Sequence, residues 1–511
     1  MKNYKYISLF LLSLGLISCD VNNELDEIQA EPVEQVELNT NGLDFSSYVS
    51  VGASFTAGFT DNALFIAAQE NSFPNILAGK FGANFAQPLM SDNIGGLLFA
   101  GNVIQGPRLF FNGAGPAALP ATPTTEVTTS VAGNLNNYGI PGAKSFHFVA
   151  SGYGNVQGVP LGLANPYYAR MASSATATVL GDAMAQSPTF FTLSEIGGND
   201  VLGYATSGGS GVDQTGNFDP TTYGGSDITD PNVFAQVFTT MVSTLTSGGA
   251  KGVVANVPYI TDLSHFTTVP YNPIPLDAGT AAAVNGGYAA YNGGIQQAFG
   301  VLVQLGVFTQ DQADAEIAKR TISFSAGQNA VVIVDEDLTD LGAINPAFAG
   351  IPQYRQATAD DLLVLPGSAF IGTLADPNNP LSVNGVGVPL DDKWVVTPEE
   401  QLAIKTATDA YNATIEATAA ANANIALVDF KAVLAEASTG IMFDNYTLNT
   451  SLVTGGLVSL DGVHLTARGY ALMANKIMAA MDAEFGTNFT SATGGLAVAG
   501  DYPTNYSPVL R

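Results

Sequence analysis

The sequence predicts an α/β protein built on a parallel β-sheet. Three observations predict it. Short apolar runs lie at residues 190–196, 252–257 and 425–430, segments of helical period lie between such runs, and glycine-rich turns close several of them. Strands alternating with helices indicate a parallel sheet, because parallel neighbours need a long crossover that returns over a face of the sheet.

Each element can be taken in chain order. Residues 47–52 are a short mixed run ending in Gly52-Ala53-Ser54, read as a first strand feeding a helix. Residues 63–81 carry Leu64, Ile66, Ala67, Phe73, Ile76 and Leu77 at helical spacing, with Pro74 as a break. Residues 91–130 are rich in Gly, Pro, Ala and Thr and read as an excursion. A second candidate strand is placed before Asn137-Tyr138-Gly139-Ile140-Pro141-Gly142. The run at 190–196 leads into Gly197-Gly198, and the sequences GVVANV and IALVDF supply two more short apolar strands. Helical patterns cover residues 233–245, 398–422 and 467–485. Residues 206–229 form a polar Gly/Ser/Thr/Asp loop. Residues 261–390 are too long for a plain crossover and are expected to build a cap or subdomain inserted into the sheet domain. No internal repeat is visible.

Composition narrows the function. A chain of 511 residues suffices for one large domain or two ordinary ones, and 46% hydrophobic residues support a sizeable core. Only 12% are charged while 55 are glycine, which points to long uncharged loops. The net charge of -28 repels phosphate backbones, so nucleic acid is not an expected partner. The acidity reads first as a solubility device and second as Ca²⁺ ligation in acidic loops, although no EF-hand pattern is present.

Lys2 and Lys5 precede an apolar run at residues 7–17, too short to span a bilayer, and the run ends in Leu16-Ile17-Ser18-Cys19. This resembles the lipobox of bacterial lipoproteins, in which the cysteine is lipidated and becomes the mature N-terminus. Cys19 is the single cysteine of the chain, which excludes an internal disulfide. Residues 20–37 hold seven acidic side chains and no basic one, as a solvated tether would. Acidic residues just after the cysteine resemble the surface-export signal of lipoproteins of the Bacteroidetes type. That resemblance implies an outer-membrane lipoprotein held at the membrane by its lipid anchor.

The chemistry-bearing residues are few. The histidines are His147, His265 and His464. No His-Glu-x-x-His motif supports a zinc site, and no metal site is expected; the phosphate-binding P-loop and the Gly-x-Ser-x-Gly elbow are also absent. Taken alone, Ser54 reads as a helix N-cap, Asn199-Asp200 as a turn and Asp461-Gly462 as a turn dipeptide. His147 reads as a solvated or capping residue, His265 as a residue after the strand at 252–257, on the face where ligands bind and a substrate contact could form, and Trp394 as packing.

Together, Gly52-Ala53-Ser54-Phe55, the glycine block 137–142, Gly197-Gly198-Asn199-Asp200 and Asp461-Gly462-Val463-His464 occur in an order that resembles the SGNH, or GDSL, serine hydrolases. The blocks span residues 52–464. The chain departs from the family name at two positions, with Ala53 in place of Asp and Phe55 in place of Leu. The resemblance implies a three-layer α/β/α sandwich with a five-stranded parallel sheet of order 2-1-3-4-5 and a site at the carboxyl ends of the strands. It implies a catalytic triad of Ser54, Asp461 and His464, and an oxyanion hole made by the backbone N–H groups of Ser54 and Gly142 and the side-chain amide of Asn199. A serine hydroxyl is a weak nucleophile, so a histidine base oriented by a carboxylate is what the chemistry requires. No cofactor is implied.

The expected organisation is a signal peptide at 1–18, an acidic tether at 19–43, a hydrolase domain at 44–490 with insertions near 91–130, 206–229 and 261–390, and a C-terminal tail at 491–511. The expected activity is hydrolysis of lipid or other acyl esters at the cell envelope. The alternatives are an esterase of acylated glycans and a non-catalytic surface-binding lipoprotein on the same scaffold. The low charge of the excursions favours an apolar acyl site, capped by the inserted segments. The oligomeric state is left open.

Overall fold

Five strands pair in parallel to form the central sheet: β1 (Tyr48–Gly52), β2 (Asn137–Gly139), β3 (Phe190–Ser194), β4 (Lys251–Ala255) and β5 (Ile425–Val428). Across the sheet the order is β2-β1-β3-β4-β5. Ser50 faces Asn137 on one side and Thr192 on the other, Phe190 faces Lys251, and Gly252 faces Ile425. The computed structural model describes residues 35–131 and 133–511. Cys19, the signal peptide and most of the tether fall outside the described residues. Residues Leu38–Arg511 form one compact unit.

The second strand differs from its sequence reading. It consists of the first three residues of the glycine block, so that block begins on the sheet instead of following it. Three residues are too few to show a period, and Asn137-Tyr138-Gly139 has no apolar run to reveal it.

Ten helices matter for the architecture. The first four are α1 (Ser54–Ala57), α2 (Phe73–Phe81), α3 (Val179–Met184) and α4 (Asn199–Thr206). After α5 (Pro231–Thr246), the inserted segment contributes α6 (Ala278–Gln304) and α7 (Gln310–Arg320). The chain then forms α8 (Pro398–Ala420), α9 (Phe430–Ala437) and α10 (Ala467–Phe485). Local chemistry sets their limits. Asp230 caps α5 by accepting from the N–H groups of Asn232 and Val233, with Pro231 in the first turn. Thr397 and Glu400 make a reciprocal capping box at α8. Thr466 caps α10, which stops at Gly486 in the left-handed conformation. The pattern over 63–81 resolves into two helices, Ile66–Glu70 and α2, with Pro74 in the first turn of the second.

Alternate side chains of the strands feed two cores. Val49, Val51, Phe191, Leu193 and Val254 join apolar residues of α3, α5 and α8. Tyr48, Phe190, Val253, Ala426 and Val428 join those of α2 and α10. The sheet is therefore covered by helices on both faces, which is why its strands read as continuous apolar runs.

The inserted segment has a separate core, formed by Val331, Val332, Ile333, Val386 and Leu390 with Ala281, Val284 and Tyr288 of α6. Residues 491–511 are packed against the domain. Buried Arg108, from the first excursion, donates to the carbonyl oxygens of Asn93 (2.9 Å) and Ser507 (2.7 Å).

Candidate active site

The chain runs from β1 to β2 on one side and then crosses to β3 on the other. The reversal opens a crevice at the carboxyl end of β1, where ligands bind in open parallel sheets. Ser54 stands at this point as the first residue of α1 and is buried. The turn is held tightly. A side chain on Gly139 would place its Cβ 2.2 Å from the backbone nitrogen of Ala57, so only glycine lets α1 sit against the end of β2. Phe59 N–H donates to the Ser54 carbonyl at 2.9 Å and closes the helix.

Ser54 and Asn199 line the same cavity, whose volume is about 960 Å³ with its solvent-filled mouth included. Its walls are mainly apolar, with Phe55, Leu202, Val257, Leu434, Leu472 and Met473 among them. They come from the ends of the strands and from α4, α9 and α10. Of the three expected insertions, only Leu263 contributes to the wall among the described residues. The insertions contribute little to the cavity wall, which comes mainly from the sheet domain.

Asn199 begins α4, and its Nδ2 donates to the carbonyl oxygen of Ala143 at 3.0 Å. This bond ties the Asn block to the glycine block and leaves the second amide hydrogen available. Gly142 has φ +80, the left-handed region, and it is not among the cavity-lining residues. The backbone N–H groups of Ser54 and Gly142 meet no acceptor among the described residues. Two free N–H groups and a half-used amide are donors that a developing anion could engage.

Asp461 and His464 form the second half of the site. His464 Nδ1 lies 2.9 Å from Asp461 Oδ2. The carboxylate also accepts from the backbone N–H groups of His464 (2.8 Å), Val463 (2.9 Å) and Asn62 (2.7 Å). Burial alone would raise the Asp461 pKa. The charge of the His464 ring and these hydrogen bonds outweigh it and hold the carboxyl well below the usual range. An ionised carboxylate only accepts, so in the neutral ring the proton belongs on Nδ1 and the lone pair on Nε2. Nε2 makes no hydrogen bond among the described residues. The ring is fixed by Phe59 (centroids 4.5 Å) and by Phe55 edge-on at 5.7 Å. Phe55 therefore touches both the cavity and the histidine. No hydrogen bond joins Ser54 Oγ to His464 among the described residues. In an uncomplexed site such contacts are often long and tighten when substrate binds.

Three participants carry no local signal in the sequence. Asp61 and Asn62 both adopt positive φ, at 51° and 62°, and this turn aims Asn62 N–H at Asp461, 399 positions away. Buried Asp61 accepts from Leu460 N–H at 3.1 Å, and burial raises its pKa to about 7. Glu195 also has positive φ, at 49°, and lines the cavity beside Ser54. Its Oε1 accepts from Thr56 N–H in α1 at 2.8 Å, its Oε2 has no partner, and burial raises its pKa to about 7. The sequence signal for Glu195 was only a charged residue at the end of an apolar run.

None of the three histidines is among the residues that line the cavity. His147 accepts from Lys144 N–H through Nδ1 at 3.0 Å and stacks on Tyr153, so it is a capping residue. Burial lowers its pKa to about 4, with the charge of Lys144 adding to the effect. His265 supports the acid-bearing turn, donating its backbone N–H to the Gly462 carbonyl at 2.9 Å. Gly462 has φ +77, and a Cβ there would lie 2.9 Å from the His265 nitrogen. His265 contacts the turn and not the cavity.

Comparisons with protein-family models, with curated proteins and with solved structures return no match to this chain. No helix among the described residues is long and apolar enough to cross a membrane.

Proposed function

We propose that the protein is a serine ester hydrolase of the SGNH kind, with Ser54 as nucleophile, His464 as base and Asp461 as the residue that orients it. One observation carries the reading: Ser54 and Asn199 open into one apolar cavity at the end of the parallel sheet. The Asp461–His464 pair, touching that cavity through Phe55, supplies the base. The reading includes a three-layer α/β/α sandwich of order 2-1-3-4-5, supported by the strand order and by helices against both sheet faces.

In the proposed reaction Ser54 Oγ bonds to the ester carbonyl carbon while its proton passes to His464 Nε2. The oxyanion is held by the N–H groups of Ser54 and Gly142 and the Asn199 amide. Collapse breaks the bond to the alcohol, which takes the proton from His464. Water then repeats the sequence and releases the acid. The ionised Asp461 stabilises the imidazolium formed in both halves.

The apolar walls favour an ester with an extended acyl chain over an acetyl group on a glycan. With one end polar and the rest apolar, the cavity fits a carbonyl at Ser54 and a hydrocarbon against Leu434, Leu472 and Met473. We place this activity at the cell envelope, anchored through Cys19, on the strength of the lipobox alone.

The test is hydrolysis of p-nitrophenyl esters of increasing chain length by the purified protein. The expected profile rises from acetyl toward longer acyl groups, and Ser54→Ala lowers turnover on the order of 10⁶-fold. Equal hydrolysis by both proteins would end the enzyme reading, and a preference for acetyl would end the lipid one. For the anchor, Cys19→Ser should move the protein from the membrane fraction to the soluble fraction; retention in the membrane would refute it.

A further inference from the structure

A second cluster of ionisable groups lies away from the cavity. Glu336, Asp392 and Glu400 each bring a carboxylate oxygen within 4.8 Å of the other two. They come from three separate places: the loop after the strand Val332–Val334, the turn Asp392–Trp394, and the first turn of α8. Among the described residues no Lys, Arg or His forms an ion pair with any of them. The nearby Arg355 is committed to Asp335 and Asp361. Asp335 and Asp337 are close enough to repel the charge of Asp392 further.

An independent feature points to a ligand. Glu400 is only 4% exposed; its Oε2 accepts from Thr397 N–H at 2.6 Å, while its Oε1 is buried with no partner. Asp392 Oδ1 is likewise buried and unpartnered. A buried carboxylate oxygen left without a donor is costly: it takes either a proton, which burial favours by raising the Glu400 pKa to about 8, or a counter-charge. No protein group can enter from the side of Gly209. That residue has φ +80, and a Cβ there would lie 1.7 Å from Glu400 Oε1, so backbone lies directly against the carboxylate.

We propose that Glu336, Asp392 and Glu400 bind a Ca²⁺ ion. The donor set is oxygen only, which selects a hard cation over zinc or copper. Ca²⁺ bonds to oxygen at about 2.3–2.6 Å, so ligands across one ion stand roughly 5 Å apart, as this spacing allows. Mg²⁺ needs a tighter octahedron, and Glu400 is held in place by its cap and by Gly209, so the site cannot readily contract around it. Glu336 and Asp392 lie in and just after the inserted segment, whereas Glu400 lies on α8, a helix of the sheet core. The ion would clamp the insertion to the domain. Gly208 and Gly209 follow α4, the helix that begins with Asn199, so the clamp also fixes the far end of that helix.

The experiment is calorimetric titration of Ca²⁺ into the EDTA-treated full chain in detergent, paired with thermal unfolding. The expected result is one ion per chain with a Kd on the order of 10⁻⁶ to 10⁻³ M, and a rise in Tm that EDTA reverses. The double variant Glu336→Gln/Asp392→Asn should bind at least about tenfold more weakly, which is a loss of two charged ligands. In EDTA it should melt higher than the wild type, since it removes like-charge repulsion; this shows that it folds. Absence of binding even at about 10 mM, above the weakest Kd of extracellular Ca²⁺ modules, would overturn the proposal. So would unchanged affinity in the double variant, or tighter binding of Mg²⁺ than of Ca²⁺. None of these readouts depends on ester hydrolysis.

Discussion

The inserted segment and the sheet-end site treat buried charge in opposite ways. In the insertion, Arg355 is gripped by Asp335 and by both oxygens of Asp361, the latter at 2.6 and 2.7 Å. Cation and anions are buried together and satisfied. Around Ser54 the buried carboxyls Asp61 and Glu195 form no ion pair among the described residues, and both are pushed up to about 7 by burial. Only Asp461 is held ionised, and there the partner is a histidine with a free second nitrogen. A closed ion pair fixes a fold. Titratable groups at a cavity, partnered on one side only, are what proton transfer needs. The difference teaches that charge locates function here by how it is left unpaired.

The largest expected effect breaks the active half of this contrast. In Asp461→Asn, one face of the side chain still accepts from the backbone, but the amide presents hydrogens to His464 Nδ1. The ring would turn to the other tautomer and lose the lone pair at Nε2. Turnover should fall on the order of 10⁴-fold. Stability should change less, since Oδ1 still accepts from the N–H groups of Val463 and His464, while the Asn62 N–H alone loses its acceptor. Steady-state kinetics with p-nitrophenyl esters, beside a thermal melt, separates the two; a tenfold loss or less would show that Asp461 does not orient the base.

The converse substitution is Arg355→Ala in the insertion. It strands two buried carboxylates, and breaking a buried pair in this way costs about 3–5 kcal/mol. Urea unfolding should show that loss, while the folded variant hydrolyses esters at close to the wild-type rate. A large fall in turnover without a fall in stability would mean that the insertion takes part in catalysis, against the composition of the cavity wall.

These two regions were not equally legible in the sequence. Strands β3, β4 and β5 could be read because strands buried on both faces must be continuously apolar. The helices α5, α8 and α10 could be read from their period, and the structure adds the caps Asp230, Thr397 and Thr466 at their starts. Ser54, Asn199, Asp461 and His464 were singled out by their resemblance to the SGNH blocks, and the structure brings Ser54 together with Asn199 and Asp461 together with His464. Strand β2 was misplaced because three residues carry no period. Asn62 and Glu195 were not legible as site residues, and His265, read as a substrate contact, instead supports the Asp461 turn. Their roles depend on left-handed turns and on contacts across 139 to 399 positions, for which a single sequence has no local code. The cap was expected from the length and composition of the insertion. Length does not say which way an insertion folds, and this one closes mainly on its own core.

A smaller effect is expected at the oxyanion donors. Asn199→Ala removes an amide that opens into the cavity and ties Ala143 to α4. Removing one such donor costs about 10²–10³ in turnover. The loss should fall on kcat with little change in KM, because the donor engages a charge present only in the transition state. A change confined to KM would assign Asn199 to substrate binding instead.

The smallest effect is the pH response of Glu195. Its pKa rises from the ordinary glutamate value in the unfolded chain to about 7 in the fold, chiefly through burial. The folded state thus holds the proton more tightly, and the group's contribution to stability is complete below pH ~4.5. It is lost as pH rises toward 7, because ionising the buried carboxyl becomes a cost. The whole span is roughly 3–4 kcal/mol, from about 1.4 kcal/mol per pH unit. Glu195→Gln keeps an oxygen that can accept from Thr56 N–H and cannot ionise, so α1 should stay in place. Urea unfolding at pH 5 and pH 8 should show a smaller decline for Glu195→Gln than for the wild type. The residual decline would belong to Asp61 and the other raised carboxyls. Parallel curves would mean that Glu195 is ionised throughout, and its free Oε2 would then require a donor that enters from the cavity.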